Sequence, residues 1–348
     1  MDGKYDEALS LFNQSLTLMP DAIIYGERAT LRAEHKDISG AIADYDKAIA
    51  LKPDKEDLAT LLGNRASLKQ QTGDLDGALV DYNQVIALLP REAVIYNSRR
   101  SIKSGKGDFA GALADYSKAI ELDPGVAQFL VNRAEVRLTK DDFMGALADY
   151  DQAVALEPKV AMHYYERGNA RQRKGDLDGA LVDFSKICEL RPDADTGYYV
   201  RGIVKQAKAD YTGALTDYDK AIALAKNDAA AVRVHREITL RQLHRGTPFA
   251  ELAKSVAIWK DGWPKNIGLY LVDALSERSL EERAGKGKTA QVKFQQCSAN
   301  YFIGMTRRLA GDMAAAQKYF EQCVATKLWE SDELILARAE LAQLTKKP

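Results

Sequence analysis

The side chains of this chain that could act as nucleophiles or metal ligands are few and widely spaced. They are three cysteines and four histidines: Cys188, Cys297, Cys323, His35, His163, His235 and His244. Metal sites typically place two ligands within a few residues of each other, and none of these pairs does so. No serine or cysteine lies in a nucleophile motif. We therefore expect no catalytic residue, no metal site and no cofactor.

One short segment contains the residues of a phosphate-binding loop. The sequence AGKGKT spans residues 284–289, but Glu282 stands where the first glycine of the motif is required. No strand is predicted before it, although the motif needs a strand that leads into the loop. We interpret the segment as a flexible loop and predict no nucleotide binding.

Two of the cysteines are placed so that they could face each other. Cys297 and Cys323 fall in two consecutive predicted helices near the end of the chain. A disulfide would form there in an oxidising compartment, whereas two buried free thiols are equally consistent with the spacing. The sequence leaves both alternatives open.

Charged residues recur at fixed positions along the first two thirds of the chain. A first arginine position holds Arg28, Arg65, Arg99, Arg133, Arg167 and Arg201. A second cation follows four residues later, as Arg32, Lys69, Lys103, Arg137, Arg171 and Lys205. An aspartate position holds Asp44, Asp81, Asp115, Asp149, Asp183 and Asp217.

These charges allow a functional and a structural interpretation. In the functional one, the cations form a basic stripe that faces a ligand. In the structural one, each aspartate is buried and paired, because buried charges need partners and the arginine fork matches a carboxylate. The equal numbers favour a structural arginine–aspartate ladder, within one repeat or between neighbouring repeats.

The overall charge excludes several classes of partner. The chain has 348 residues, with 49 basic and 50 acidic side chains and a formal net charge of −1. Nucleic-acid binders carry a basic excess, so no nucleic-acid partner is expected. No apolar run approaches the ~20 residues of a membrane-spanning helix. The first residues, MDGKYDEALS, lack the basic and apolar regions of a signal peptide.

The elements that carry these residues follow from an internal repeat. The phrase GAIADYDKAIALKP from Gly40 recurs from Gly77, Gly111, Gly145, Gly179 and Gly213, and four of the five intervals are 34 residues. The spacing of small and aromatic residues predicts a helix for each phrase and a second helix before it. Residues 1–226 resemble the tetratricopeptide-repeat family, whose unit is about 34 residues long.

The resemblance implies the fold class: an all-α, right-handed superhelical solenoid of antiparallel helix pairs whose first helices line a concave groove. Helical spacing predicts the groove residues that would bind a peptide. They are Asn97, Ser101, Val131, Glu135, Met162, Tyr165, Asn169, Gln172, Tyr199, Ile203 and Gln206. The sharpest prediction is a peptide docked around Tyr165, Asn169 and Tyr199, since tyrosines are favoured anchors. The alternative is that these tyrosines fill gaps between repeats.

The chain divides into three predicted regions. Residues 1–226 form the repeat array with an incomplete first repeat, residues 227–264 a degenerate helical pair, and residues 265–348 a helical segment, a final repeat and a capping helix. In the last third, WKDGWP, the LYL segment and CSANYFIGMTRRLAGD are similar to the end of a bacterial outer-membrane lipoprotein of the "new lipoprotein I" type. That family comprises tetratricopeptide adaptors for periplasmic proteases and peptidoglycan hydrolases.

The sequence thus predicts a non-enzymatic scaffold that binds other proteins or peptides. The resemblance suggests a periplasmic or envelope location, with membrane contact only through a lipid anchor whose cysteine motif is absent here. The alternative is the recognition or regulatory arm of a larger enzyme whose catalytic part lies upstream of Met1. The incomplete first repeat also allows a homo-oligomer that assembles through that end.

Overall fold

The computed structural model of this protein describes residues 2–227, 229–243, 248–328 and 331–345. Every regular element in those ranges is a helix. The chain divides into two compact units, unit 1 (Met1–Leu156) and unit 2 (Glu157–Pro348).

Unit 1 consists of one leading helix and four antiparallel pairs. The leading helix is α1 (Asp2–Leu18). The pairs are α2 (Ala22–Glu34) with α3 (Ile38–Ala50), α4 (Lys55–Thr72) with α5 (Leu75–Leu88), α6 (Ala93–Gly105) with α7 (Phe109–Leu122), and α8 (Ala127–Leu138) with α9 (Phe143–Leu156). The one longer interval of the repeat, from Gly40 to Gly77, contains the longer first helix α4, which has 18 residues.

Each second helix begins at an aspartate that the repeat supplies. The side chain of Asp74 accepts a hydrogen bond from the backbone N–H of Gly77, and Asp37 and Asp108 do the same three residues before their own glycines. A side-chain acceptor at this position satisfies a donor that would otherwise have no partner at the helix start. The pattern Asp-x-x-Gly therefore determines where these helices begin.

Small residues and tyrosines form the core of each pair. In the first pair of unit 1, Ala29 of α2 and Tyr45 of α3 are buried, together with Ala41 and Ala48. Alanine lets the two helix backbones approach, and the tyrosine ring fills the space between them. The same alternation recurs in the later pairs.

Unit 2 continues with helix pairs and ends in a single helix. Its helices are α10 (Ala161–Lys174), α11 (Leu177–Leu190), α12 (Asp195–Ala207), α13 (Tyr211–Leu224), α14 (Ala230–Gln242), α15 (Pro248–Ile258), α16 (Trp263–Leu271), α17 (Glu277–Ala284), α18 (Thr289–Leu309), α19 (Met313–Ala325) and α20 (Asp332–Thr345).

Glycine allows the closest helix approach in unit 2. A Cβ on Gly202 of α12 would lie 2.6 Å from the ring of Tyr218 of α13, so only glycine fits between these helices. The core then extends through Ile238, Tyr301 and Phe302, which are all buried. A single hydrophobic cluster therefore joins the last regular repeats to the divergent end of the chain.

The divergent end differs in one respect from the sequence prediction. The pattern predicts one amphipathic helix near 267–284, whereas the structure has α16 and α17 with a break between them. Asp273 adopts a left-handed backbone with φ of +57°, and Ser276 caps the start of α17. A left-handed residue followed by a capping serine ends one helix and begins another.

The final helix folds back onto an earlier pair of unit 2. Helix α20 packs against α18, α19 and α12. The hydroxyl of Tyr199 on α12 donates to Asp332 at 2.7 Å, and the Arg338 guanidinium donates to the backbone oxygen of Arg173. A helix is thus present where the sequence predicts the final one, and it covers one face of α12.

The fold class is all-α in the described ranges, with consecutive antiparallel helix pairs packed against each other. The segment resembling a phosphate loop follows helix α17, where the motif requires a strand. None of the described helices combines the length and apolar content needed to cross a bilayer.

Candidate functional site

The repeated arginines and aspartates meet within each repeat. In all six repeats, the first-position arginine donates from Nε and Nη2 to the aspartate sixteen residues later. In the first of them, Arg28 Nη2 lies 2.5 Å from Asp44 Oδ1. The second cation of every repeat approaches the other carboxylate oxygen at 2.7–3.0 Å.

Burial decides between the two interpretations of these charges. The six aspartates are 0–3% exposed, so they are not available to a ligand. Each carries two cationic partners, which supply the charge and the hydrogen bonds that a buried carboxylate needs. The structural arginine–aspartate ladder is confirmed.

The ladder also joins neighbouring repeats in unit 1. The remaining nitrogen, Nη1, donates to the second helix of the preceding repeat. The pairs are Arg28–Asn13 (2.5 Å), Arg65–Asp46 (2.6 Å), Arg99–Asn83 (2.7 Å) and Arg133–Ser117 (3.0 Å). Three of these acceptors, Asp46, Asn83 and Ser117, lie two residues after a ladder aspartate. This recurrence is the sequence signal that could have predicted the contact.

Since the ladder occupies one side of each first helix, another side is open for binding. We name the exposed side of α2, α4, α6 and α8 the unit 1 groove face. Two of its helices are joined by a hydrogen bond from Gln70 on α4 to Ser101 on α6 at 3.0 Å. Among the predicted binding residues, Asn97 and Ser101 are partly exposed, Glu135 is exposed, and Val131 is buried.

The predicted residues on α10 are mixed. Met162 is 60% exposed, and Tyr165 and Asn169 are partly exposed. The ring of Tyr165 lies 6.4 Å from that of Phe184, so the tyrosine packs on the core while it keeps exposed surface. Gln172 is only 5% exposed. On helix α10, Met162, Tyr165 and Asn169 therefore keep exposed surface.

The predicted residues on α12 are covered by the chain itself. Ile203 is 0% and Gln206 2% exposed. The amide nitrogen of Gln206 donates to Tyr301, and the hydroxyl of Tyr218 donates to its amide oxygen. Tyr199 is bonded to the C-terminal helix as described above. Ile203 and Gln206 offer no surface to a peptide here, and the proposal below is made without them.

A cavity of about 210 Å³ opens between α2 and α4 on the unit 1 groove face. Gly26 forms its floor, since a Cβ there would lie 2.7 Å from Leu61. Its rim includes Glu27, Thr30 and Thr60, which are exposed. The lining residues are Ile23, Gly26, Glu27, Thr30, Tyr45, Asp57, Thr60, Leu61 and Asn64.

Arg100 is a candidate residue that the sequence analysis missed. It occupies the position that holds Ala29, Ala66, Ala134, Gly168 or Gly202 in the other repeats. Its guanidinium lies 4.6 Å from the ring centre of Tyr116, instead of fitting into the helix crossing. Arg100 could have been recognised in the sequence, because the other repeats have alanine or glycine at this position.

Arg100 also affects the ionisation of a carboxylate on the unit 1 groove face. Loss of hydration raises the pKa of Glu135 on α8, and the positive charge of Arg100 opposes that rise. The Arg100 Nε donates to the backbone oxygen of Asn97 at 2.9 Å, which holds the guanidinium on the face. The described part of the unit 1 groove face thus carries Arg100, Glu135 and several amide and hydroxyl groups. These groups are not arranged as in a catalytic site.

The histidines and cysteines that the structure describes show no metal-binding arrangement. Within the described ranges, no group of three or more potential ligands has the geometry to hold a metal ion. His163 bonds to Glu157 at 2.6 Å, and His244 lies outside the described residues. The Sγ atoms of Cys297 and Cys323 lie 2.8 Å apart, so these cysteines do face each other.

Comparison with protein families finds matches over three segments of the chain. Residues 2–56 and 131–195 match one tetratricopeptide-repeat model, and residues 298–327 match a second. The last match covers the end of α18 and all of α19, where the sequence predicted a restored repeat. No curated protein matches this sequence significantly.

Solved structures show the same fold at low sequence identity. The C-terminal part of a repeat-containing protein from Cytophaga hutchinsonii is 17% identical, with a TM-score of 0.58 over 66% of this chain and 95% of that one. A tetratricopeptide-repeat protein from Parabacteroides merdae is 18% identical, with a TM-score of 0.50 over 72% of this chain and 98% of that one. These similarities support the fold.

Proposed function

We propose that this tetratricopeptide-repeat chain is a non-enzymatic scaffold that binds an extended segment of a partner polypeptide along the unit 1 groove face. Tetratricopeptide repeats serve as protein-interaction modules, and the family models that match parts of this chain describe such repeats. The observation that carries the proposal is the open face itself, with a 210 Å³ cavity between α2 and α4 and the exceptional Arg100 on α6.

The shape and composition of the face support an extended ligand. Ile23 and Val94 occupy equivalent positions on α2 and α6 and are 56% and 62% exposed. Such isolated apolar side chains can bury the side chains of a partner, while the hydroxyls and amides around them satisfy its backbone groups. The proposed contacts are Asn97, Ser101 and Glu135 from the sequence prediction, with Arg100 added. In unit 2, Met162, Tyr165 and Asn169 form a second proposed contact region.

Arg100→Ala is the most informative variant for this proposal. Because alanine or glycine occupies the equivalent position in the other repeats, the substitution should leave the helix pair folded. Peptides selected from a displayed random library against the wild-type chain should bind the variant at least about tenfold more weakly, since a charge-assisted hydrogen bond is lost.

Arg91→Ala is the matched control. Arg91 is exposed in the loop before α6 and lies outside the groove face. Its removal subtracts the same charge, so binding should stay within about twofold of wild type if the contact is local. Equal affinity of wild type and Arg100→Ala, with both folded, would place the binding surface elsewhere.

A finer proposal concerns location. The similarity of WKDGWP and CSANYFIGMTRRLAGD to the outer-membrane lipoprotein type supports a role as an envelope adaptor. Fractionation of the source cells should then recover the native protein with the periplasm or the membranes. Recovery with the cytosolic fraction alone would reject this part of the proposal.

A further inference from the structure

Unit 2 contains a cavity lined by carboxylates and aromatic rings. It has a volume of about 120 Å³, room for about four water molecules at ~30 Å³ each. Its walls come from α12, α14, α16, α18 and α20 and from Ser331, just before α20. The residues that matter below are Asp332, Glu333, His235, Trp263, Phe294 and Phe302.

The cavity is open at one end and buried at the other. Phe294 is 42% exposed and Asp332 is partly exposed, so they form the mouth. Glu333, His235 and Phe302 are 7%, 3% and 1% exposed and lie inside. A ligand that enters therefore meets Phe294 and Asp332 at the mouth before it reaches Glu333 inside.

Among the described residues, the two carboxylates accept hydrogen bonds only from neutral donors. Asp332 accepts from the hydroxyl of Tyr199, and Glu333 accepts from Ser298 at 2.8 Å and Ser331 at 2.6 Å. Within the described residues, no lysine or arginine lines the cavity. This contrasts with the ladder aspartates, each of which has two cations.

A second observation concerns the buried histidine of the cavity wall. Nδ1 of His235 has no hydrogen-bond partner in the part of the chain that the structure describes, although the side chain is almost completely buried. Burial lowers the pKa of this histidine, so the ring is neutral near pH 7. A neutral imidazole cannot neutralise Asp332 and Glu333, and buried carboxylates without a counter-charge are costly.

We infer that this cavity binds an organic cation, an ammonium or guanidinium group on a short apolar stem. The cation would pair with Asp332 and Glu333, and the stem would lie against Phe294, Trp263 and Phe302. Aromatic rings favour such cations, and the guanidinium fork matches carboxylates. The absence of a three-ligand group among the described residues argues against a metal ion as the occupant.

The cation has two plausible sources, a free small molecule or an arginine side chain of a partner polypeptide. Titration with butylguanidinium, and separately with a short capped peptide containing one arginine, distinguishes them. We expect saturable quenching of tryptophan fluorescence by at least one probe, because Trp263 lines the site. Comparable affinity for both probes indicates a free cation, and tighter binding of the peptide indicates a partner side chain.

Neutral probes and variants make the test specific. Butylurea has the shape of butylguanidinium, and a peptide with citrulline in place of arginine has the shape of the arginine peptide. Neither carries the positive charge, so neither should bind. Asp332→Asn should weaken binding about tenfold or more, whereas Glu321→Gln, an exposed acid on α19 outside the cavity, should not. If Asp332→Asn fails to fold, the test is instead the affinity of the wild-type chain for the cationic probes, measured from pH 5.5 to 8.5. This affinity should rise with pH.

Three outcomes would overturn the inference: no saturable binding of either cation, equal binding of butylurea, or equal binding by folded Asp332→Asn. The peptide-groove proposal concerns unit 1 and is tested with Arg100→Ala. Failure of one proposal therefore leaves the other intact.

Discussion

At the scale of single residues, the buried aspartate of each repeat is the most constrained side chain. Asp149 is 1% exposed and pairs with Arg133 and Arg137. Asp149→Ala leaves two cations in a partly buried position without their anion. We predict a loss of about 3–5 kcal/mol in the free energy of unfolding, measured by urea denaturation followed by circular dichroism.

An exposed pair in the same unit provides the comparison. Lys118 and Glu121 form an ion pair on the surface of α7. Glu121→Ala should change the free energy of unfolding by less than about 1 kcal/mol, because solvent screens exposed pairs. Similar effects of the two substitutions would mean that the ladder contributes no more than a surface pair.

Asp332 should make stability depend on pH in an unusual direction. Burial and the neighbouring charge of Glu333 raise the pKa of Asp332 to about 7, from an ordinary value of 3.8, although the hydroxyl of Tyr199 opposes the rise. Between these two values the folded chain binds more protons than the unfolded chain. The contribution of Asp332 to the free energy of unfolding therefore falls as pH rises from about 4 to about 7.

Asp332→Asn removes this titration and isolates its effect. The variant should match wild type near pH 4 and melt at a higher temperature than wild type at pH 8, without ligand. The groups that interact with Asp332, namely Tyr199, Tyr218 and Glu333, and His235 of the same cavity remain in both proteins, so the difference between their melting temperatures reports Asp332. A difference that does not vary with pH would contradict the raised pKa.

At the scale of the helices, the turns inside the pairs offer a test of backbone strain. Gly73, Gly107 and Gly175 adopt positive φ before the capping aspartates, and Ala209 has a φ of +61° at the equivalent position. Alanine in this region costs roughly 1–2 kcal/mol, and glycine does not. Ala209 is exposed, so a change there alters no packing.

We predict that Ala209→Gly raises the free energy of unfolding by roughly 0.5–1 kcal/mol. The relief of strain is partly cancelled because glycine has a larger conformational entropy in the unfolded chain. The reverse change, Gly175→Ala, should lower it by about 1–2 kcal/mol. Both are measured by urea denaturation. A loss of stability in Ala209→Gly would show that the turn is not strained.

The helices themselves could largely be predicted from the sequence. Local signals, such as the capping Asp37 with Gly40, mark the start of the second helices, and the small-residue positions mark the helix crossings. The return of α20 onto α12 could not be predicted in the same way. It depends on contacts such as Tyr199–Asp332, which join residues far apart in the sequence and have no local pattern.

The candidate site was predicted less completely than the fold. Helical spacing placed Asn97, Ser101 and Glu135 on at least partly exposed surface, but it could not show that distant parts of unit 2 bury Ile203 and Gln206, as Tyr301 of α18 does when it bonds to Gln206. Arg100 could have been found, because it interrupts a column of alanine and glycine. Spacing along one helix indicates which side a residue faces, whereas burial depends on what the rest of the chain places there.

At the scale of the whole molecule, the proposed binding surface is formed by the exposed sides of stacked first helices. The charged sides of the same helices are already paired with the ladder aspartates. The ladder satisfies the buried charges within each repeat and connects neighbouring repeats in unit 1. The unit 1 groove face can therefore vary without loss of the fold, as Arg100 shows. This separation of stability from recognition is what a binding scaffold requires.

Hydrogen exchange of the chain with and without a library-selected peptide tests the central claim most directly. Binding along the unit 1 groove face should slow exchange in α2, α4, α6 and α8 more than in α3, α5, α7 and α9, and Arg100→Ala should abolish the difference. Protection confined to the second helices, or unchanged by Arg100→Ala, would contradict the account.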